Sequence, residues 1–175
     1  VCVRYDPILL NSKYNVNYHI RAFNKLCKML KGYVSKVIVS FVDDYKNVRN
    51  NHLDYHEPFN EEYLKLKEAF EKNDIKVVSC MENKYHIGDE NDCCVSIKYA
   101  FERTGKLFKE WKARDCHCVN MVDIGAYNSC LHGCKYCYAN FDSKQIVSNY
   151  KMHDINSSLL IGHLSLDDQI KIRKK

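Results

Sequence analysis

Apolar and polar positions alternate with a period of two over residues 2–6 (CVRYD), a run rich in β-formers that Pro7 stops, and this predicts a strand. After a loop with Asn11, Ser12 and Asn15, Asn17 is placed to cap a helix. Its apolar residues Ile20, Phe23, Leu26, Cys27 and Leu30 keep helical spacing, and Gly32 closes it. Residues 36–42 (KVIVSFV) are almost continuously apolar and β-branched, the pattern of a strand buried on both faces, and Asp43 and Asp44 end the run. Residues 45–58 are polar, with Asn47, Asn50, Asn51, His52 and His56, and read as a long loop. Asn60 is placed to cap a second amphipathic helix, with Tyr63, Leu66, Ala69 and Phe70 on one face. Residues 75–80 (IKVVSC) supply a third short buried strand.

Strands that alternate with helices and are themselves buried imply a parallel sheet. Three strands cannot close a barrel, and the chain opens on Val1 inside what already reads as a strand. The expectation is therefore a piece of a larger α/β fold: the C-terminal portion of a (β/α) barrel of TIM type, or a partial barrel, followed by a cysteine-rich, irregular cluster-binding segment. A doubly wound sheet fits the same pattern. The β/α repeats take residues 1–82, and residues 83–175 form the cysteine-rich segment packed on the same domain. Within that segment residues 93–101 can open a helix, and Leu107, Phe108 and Trp111 a second short one.

Ligands bind at the C-terminal ends of strands in either α/β architecture. Arg4, Tyr5 and Asp6 stand there after the first strand, Asp43 and Asp44 after the second, Cys80 and Glu82 after the third. Arg4, Asp6 and Asp43 are thus the candidate catalytic residues, against the plainer reading that acidic residues at strand ends cap helices or bind water.

Composition narrows the class. At 175 residues and 46% apolar content the chain can build one ordinary core. No apolar run approaches the ~18 residues that a membrane span needs, so a soluble, cytoplasmic protein with no membrane partner is expected. The net charge of +5 comes from dispersed lysines and a basic tail at Lys171, Arg173, Lys174 and Lys175. That balance is compatible with a nucleic-acid surface but is more commonly a solvated face.

The ten cysteines change the picture most. Only Cys2 and Cys27 precede residue 80, and the helical position of Cys27 makes it core. Cys80, Cys93, Cys94, Cys116, Cys118, Cys130, Cys134 and Cys137 cluster behind it, and in a reducing compartment such clustering points to metal rather than disulfides. Cys130, Cys134 and Cys137 form a C-x3-C-x2-C run with Tyr136 directly before the last cysteine, which can hold three irons of a cubane cluster and leave the fourth open. Cys80, Cys93 or Cys94, Cys116 and Cys118 supply four further thiolates, enough for a second cluster or a tetrahedral zinc site, or simply buried as small hydrophobes.

The run Cys130-Leu131-His132-Gly133-Cys134-Lys135-Tyr136-Cys137-Tyr138-Ala139-Asn140 resembles the cluster loop of the radical S-adenosylmethionine (radical SAM) superfamily, in the form found in relatives of spore photoproduct lyase. The wider pattern, from Cys116-His117-Cys118-Val119 through Asp123-Ile124-Gly125 and Tyr127 to that loop, resembles an uncharacterised bacterial family known as a domain of unknown function. Its signature is C-x-C-V-x-S-x-D-I-G-x-Y-x-x-C-x-H-x-C-x-Y-C-Y-A-N, with Met121 here in place of the serine. The radical SAM resemblance implies a [4Fe-4S] cluster on Cys130, Cys134 and Cys137, S-adenosyl-L-methionine on the open iron, the backbone of Tyr136 beside the adenine, and an electron donor such as flavodoxin or ferredoxin. Radical SAM enzymes usually carry the three cysteines after their first strand, whereas here they follow the β/α repeats.

The expected function is an iron–sulfur protein of radical SAM type, abstracting hydrogen from an unidentified substrate. Two other classes compete with it. One is a non-catalytic module stabilised by zinc or a cluster, using Cys116 or Cys118 beside the loop cysteines; the other is a DNA-repair enzyme related to spore photoproduct lyase.

Overall fold

The computed structural model describes residues 1–82, 84–89, 92–112 and 116–171. Its elements, in chain order, are β1 (Cys2–Ile8), α1 (Val16–Leu30), β2 (Lys36–Phe41), α2 (Lys46–Asn50), α3 (Asn60–Glu71), β3 (Lys76–Ser79), α4 (Ile97–Thr104) and α5 (Ser143–Lys151). The chain forms two compact units. One comprises residues 1–43 and 54–122, the other residues 44–53 and 123–175. Among the described residues no helix is long and apolar enough to cross a membrane. Arg173, Lys174 and Lys175 of the basic tail lie outside the described residues.

In the first unit β1, β2 and β3 make a parallel sheet in sequential order, with Val3 opposite Val37 and Val37 opposite Val77. Because each strand joins the sheet on the same side of the last, two crossovers of the same hand put both α1 and α3 on one face. Side-chain alternation then divides the sheet cleanly. Val3, Tyr5, Val37, Val39, Phe41 and Val77 face the helices and meet Phe23, Cys27, Leu66 and Phe70. Phe23 and Phe70 stack with ring centroids 3.8 Å apart, and the Tyr5 ring stands edge-on to both. His19, buried on α1, receives the Tyr5 hydroxyl at Nδ1 (2.8 Å) and faces the Leu9 carbonyl through Nε2 (2.9 Å).

The opposite face corrects the barrel expectation. In a (β/α) barrel that face would look across an interior lined by other strands. Here Ile38 and Val78 pack instead against Cys93, Cys94 and Cys118, with Cys2, Cys80, Val95 and Cys116 around them. The sheet is open, three-stranded and covered by irregular chain, so among the described residues there is neither a barrel nor a part of one. Lys36, almost fully buried, ties the covering segment down: its ammonium donates to the Cys93 carbonyl and pairs with Asp92 at 3.3 Å.

Several boundaries also move. α1 is capped by Asn15, whose side chain accepts from the Tyr18 N–H, and not by Asn17. α3 begins at Asn60 behind the N-cap Phe59, whose N–H donates to the Glu62 carboxylate. β1 runs through Pro7 to Ile8 with a shift of register after Tyr5. The stretch read as one long loop contains the short helix α2. Leu107, Phe108 and Trp111 form no helix; Glu110 instead bridges Val119, and the Trp111 N–H donates to the Cys118 carbonyl.

The second unit holds α2, α5 and the chain between Asp123 and Asp142. Asp142 caps α5 by accepting from Lys144 and Gln145 N–H groups. Asn128, 2% exposed and left-handed at φ 54°, is its internal fastening. Its side-chain oxygen accepts from the Phe141 and Asp142 N–H groups at 2.8 and 3.1 Å, and its amide donates to Gln145 at 2.7 Å.

Candidate functional site

Two groups of thiols stand out, one in each unit, and all ten cysteines are free. The first occupies the covered face of the sheet. Alternation along β1 puts Cys2, Arg4 and Asp6 on that face, and Cys80 follows the end of β3 beside it. Cys94 and Cys118 come from the covering chain and are buried, while Cys116 is partly buried. Antiparallel bridges from Ser96 to Cys118 and from Glu110 to Val119 hold the C-x-C segment in place, and the Val119 N–H donates to the Val95 carbonyl.

The sulfurs lie beside one another, and the Arg4 guanidinium donates to two of them. Arg4 points Nη2 at Cys94 Sγ (3.3 Å) and Cys80 Sγ (3.6 Å), while its Nη1 is held by Asp6, which also accepts from the Ser40 hydroxyl. Cys118 lies against Cys94 and Cys116, close enough for each to bear on the others' acidity. Cys93 belongs to the same buried cluster and lies against Cys118, and its S–H is directed at the His117 carbonyl at 3.1 Å.

These partners set the acidities. The Cys118 thiol is drawn down to about 5, chiefly by the hydrogen bond from Cys94 and then by the Val95 N–H. Cys80 falls to about 6, again through Cys94 first and the Arg4 guanidinium next. Cys94, which supplies hydrogen bonds to both, is pushed up, as is Cys93, to about 12 by burial. Glu82 is raised to about 7 by burial, against the Phe41 N–H that donates to it, with Asp43, Cys80 and Asp6 adding to the rise.

A cavity of about 120 Å³ opens among these residues, lined by Cys80, Cys94, Cys116, Cys118, Glu82 and His86 among others. His86 brings a buried Nε2 with no hydrogen-bond partner among the described residues.

The second group is the C-x3-C-x2-C loop. Cys130 and Cys134 are exposed and Cys137 partly so. Asparagine amides hold its backbone. Asn140 donates to the Cys130 carbonyl (2.6 Å), Asn51 to Lys135 (2.9 Å), and Asn47 to Cys137 (3.2 Å) and Tyr138 (3.0 Å). The Asn128 N–H donates to the Ala139 carbonyl, closing the loop at its base. Gly133 is left-handed at φ 62°, and the Cys137 N–H turns back to the Cys134 carbonyl at 3.0 Å. The loop residue Tyr136 is exposed. Among the described residues, no three His, Cys, Asp or Glu side chains already surround one point as the ligands of a metal ion would.

Of the residues expected at a site, the structure gathers Cys80, Cys93, Cys116 and Cys118 with Arg4 and Asp6 on one face of the sheet. Asp43 lies near Glu82, in the same unit, while Cys130, Cys134, Cys137 and Tyr136 share a loop in the other unit. Sequence reasoning gave Cys93 and Cys94 equal standing, although only Cys94 takes the Arg4 hydrogen bond. It passed over His86, an isolated histidine with no motif around it. Period-two alternation of Cys2, Arg4 and Asp6 was a usable signal for the thiol face. The asparagines of residues 45–58 carried one too, since amides that recur in a long polar stretch are suited to capping carbonyls.

This is a cysteine-rich α/β protein with two separate thiol groups on an open parallel sheet and a fastened loop. The chain belongs to the family described as a domain of unknown function, DUF1848, whose model matches residues 1–139 and so spans all ten cysteines. No curated protein and no solved structure matches the chain.

Proposed function

We propose that the C-x3-C-x2-C loop binds a [4Fe-4S] cluster through Cys130, Cys134 and Cys137 and that the protein acts with S-adenosyl-L-methionine as a radical SAM enzyme. The observation that carries this reading is three free thiols within eight residues, on a backbone whose carbonyls are held by asparagine amides. The donor set fits the group, because three thiolates satisfy three irons and leave the fourth for an exchangeable ligand. When bound, the cluster supplies the electron that cleaves the sulfonium of S-adenosyl-L-methionine.

The chain's own contribution is positional. Asn47, Asn51 and Asn140 occupy the carbonyls of Cys137, Tyr138, Lys135 and Cys130, which keeps those carbonyls committed and the loop in one course. Exposure of Cys130 and Cys134 leaves room for assembly. Tyr136, one residue before the last cysteine, offers its backbone to an adenine and its ring as cover.

The deciding measurement is made on anaerobically reconstituted full-length protein reduced with dithionite and mixed with S-adenosyl-L-methionine. Formation of 5'-deoxyadenosine is expected, together with loss of the cluster's visible absorption in the variant with Cys130, Cys134 and Cys137 all changed to serine. A colourless protein that keeps zinc on those three thiolates would refute the reading and leave a metal-stabilised module.

A further inference from the structure

We propose that Cys80, Cys94, Cys116 and Cys118 hold a tetrahedral zinc ion against the covered face of the sheet, with Arg4 and His86 in contact with the sulfurs. This centre is independent of the loop and of any radical chemistry there.

The donors around the sulfurs are the first ground. Arg4 aims one nitrogen at Cys80 and Cys94, and Cys116 and Cys118 complete the thiol lining of the cavity beside them. Two of the four sulfurs thus accept an N–H from one guanidinium. Thiols packed merely as small hydrophobes call for no donors, whereas thiolates bound to a metal are commonly met by N–H groups of this kind. Four anionic sulfurs in a largely buried site need positive charge, and Arg4 supplies a single unit. A divalent cation supplies most of the remainder.

The second ground is the cavity of about 120 Å³ beside them, and the buried Nε2 of His86 that lines it without a partner among the described residues. An unsatisfied buried nitrogen is unfavourable, and a thiolate sulfur lining the same cavity would accept from it. The four thiols line that one cavity without yet surrounding a point. A tetrahedron with zinc–sulfur bonds of about 2.3 Å has edges of about 3.8 Å, so zinc would draw the four sulfurs together by side-chain rotation. A cubane cluster would hold its four cysteines on a larger box. Four protein thiolates, two of them buried and two partly so, match the closed type of site that zinc adopts when its role is structural.

Which thiol is excluded is itself a prediction. Cys93 lines the same cavity, but its S–H is directed at the His117 carbonyl, whereas the Arg4 guanidinium reaches Cys94.

The test uses the full chain in which Cys130, Cys134 and Cys137 are replaced by serine, so that loop metal cannot contribute. After purification with zinc and removal of loose metal, elemental analysis is expected to find one zinc per chain. Cobalt exchanged into the same protein should show thiolate charge-transfer absorption and the intense visible bands of a tetrahedral ion. In that background Cys94→Ser should lose stoichiometric zinc, Cys93→Ser should keep it, and His86→Gln should weaken zinc binding by about 10–100-fold. If Cys94→Ser fails to fold, the cobalt spectrum of the parent, with all four thiols native, still decides. Absence of bound zinc, an octahedral cobalt spectrum, iron in place of zinc, or equal loss from Cys93→Ser and Cys94→Ser would each overturn the assignment. None of these outcomes depends on 5'-deoxyadenosine formation, so the two readings fail separately.

Discussion

Replacing Asn128 tests whether the C-x3-C-x2-C loop is held in its course by this fastening. Its side chain makes three hydrogen bonds, accepting from Phe141 and Asp142 N–H groups and donating to Gln145, from a backbone at φ 54°. Each bond contributes about 1 kcal/mol net, and an alanine held left-handed adds about 1 kcal/mol of strain. Asn128→Ala is therefore expected to destabilise its unit by about 4 kcal/mol. Asn128→Gly escapes the strain and should cost about 3 kcal/mol, while Asn128→Asp still accepts from both backbone N–H groups and tolerates the conformation, so about 1 kcal/mol is expected. Amide hydrogen exchange is the suitable assay, because the two units need not unfold together. Exchange at Phe141 and Asp142 should accelerate in the order Asp, Gly, Ala, and iron retained after reconstitution should fall in the same order. If Asn128→Ala exchanges like the native chain, or Asn128→Asp is as damaged as Asn128→Ala, the fastening argument is wrong.

Phe70 stacks on Phe23 at the centre of the helix-covered face and is fully buried, so Phe70→Ala should cost about 3–5 kcal/mol in denaturant melts, whereas a loss under 1 kcal/mol would show that this stack is not central. Gly88 bridges Val78 at φ 87°, and a Cβ there would meet the Val77 carbonyl oxygen at 2.0 Å. Gly88→Ala should therefore break that bridge and lower the midpoint of the first unit in denaturant melts, and an unchanged midpoint would show that the close approach is not required. Burial lowers the pKa of His19 from its ordinary 6.5, partly offset by its contact with the Leu9 carbonyl. The unfolded chain takes up a proton that the folded chain resists, so stability should be complete above about pH 6.5 and decline as pH falls below it. His19→Gln should flatten that decline relative to the native chain; an unchanged slope would show that His19 does not cause it.

Much of the architecture was legible in local pattern. The three strands and the two crossover helices were readable because their apolar periodicity is set by the pleat and by 3.6 residues per turn, whatever lies outside them. Cys27 was placed in the core by its helical position alone, and it is there. Shifts at the ends, such as Asn15 capping α1 instead of Asn17, came from side-chain bonds that periodicity does not encode. α2 and α5 went unread because each is short and mostly polar.

The chain's residues alone determined which side chains are available: three thiols at cluster spacing in one short run, five more between Cys80 and Cys118, and strands buried on both faces. Only the tertiary structure decided what covers the second face of the sheet. A run such as KVIVSFV demands apolar cover but is indifferent to its source, and other strands of a barrel or a folded-over cysteine segment would meet that demand equally. The same holds for the thiols. Spacing in sequence could not separate Cys94 from Cys93, since the choice was made by the distant Arg4 on β1, whose guanidinium reaches one sulfur while the His117 carbonyl takes the other.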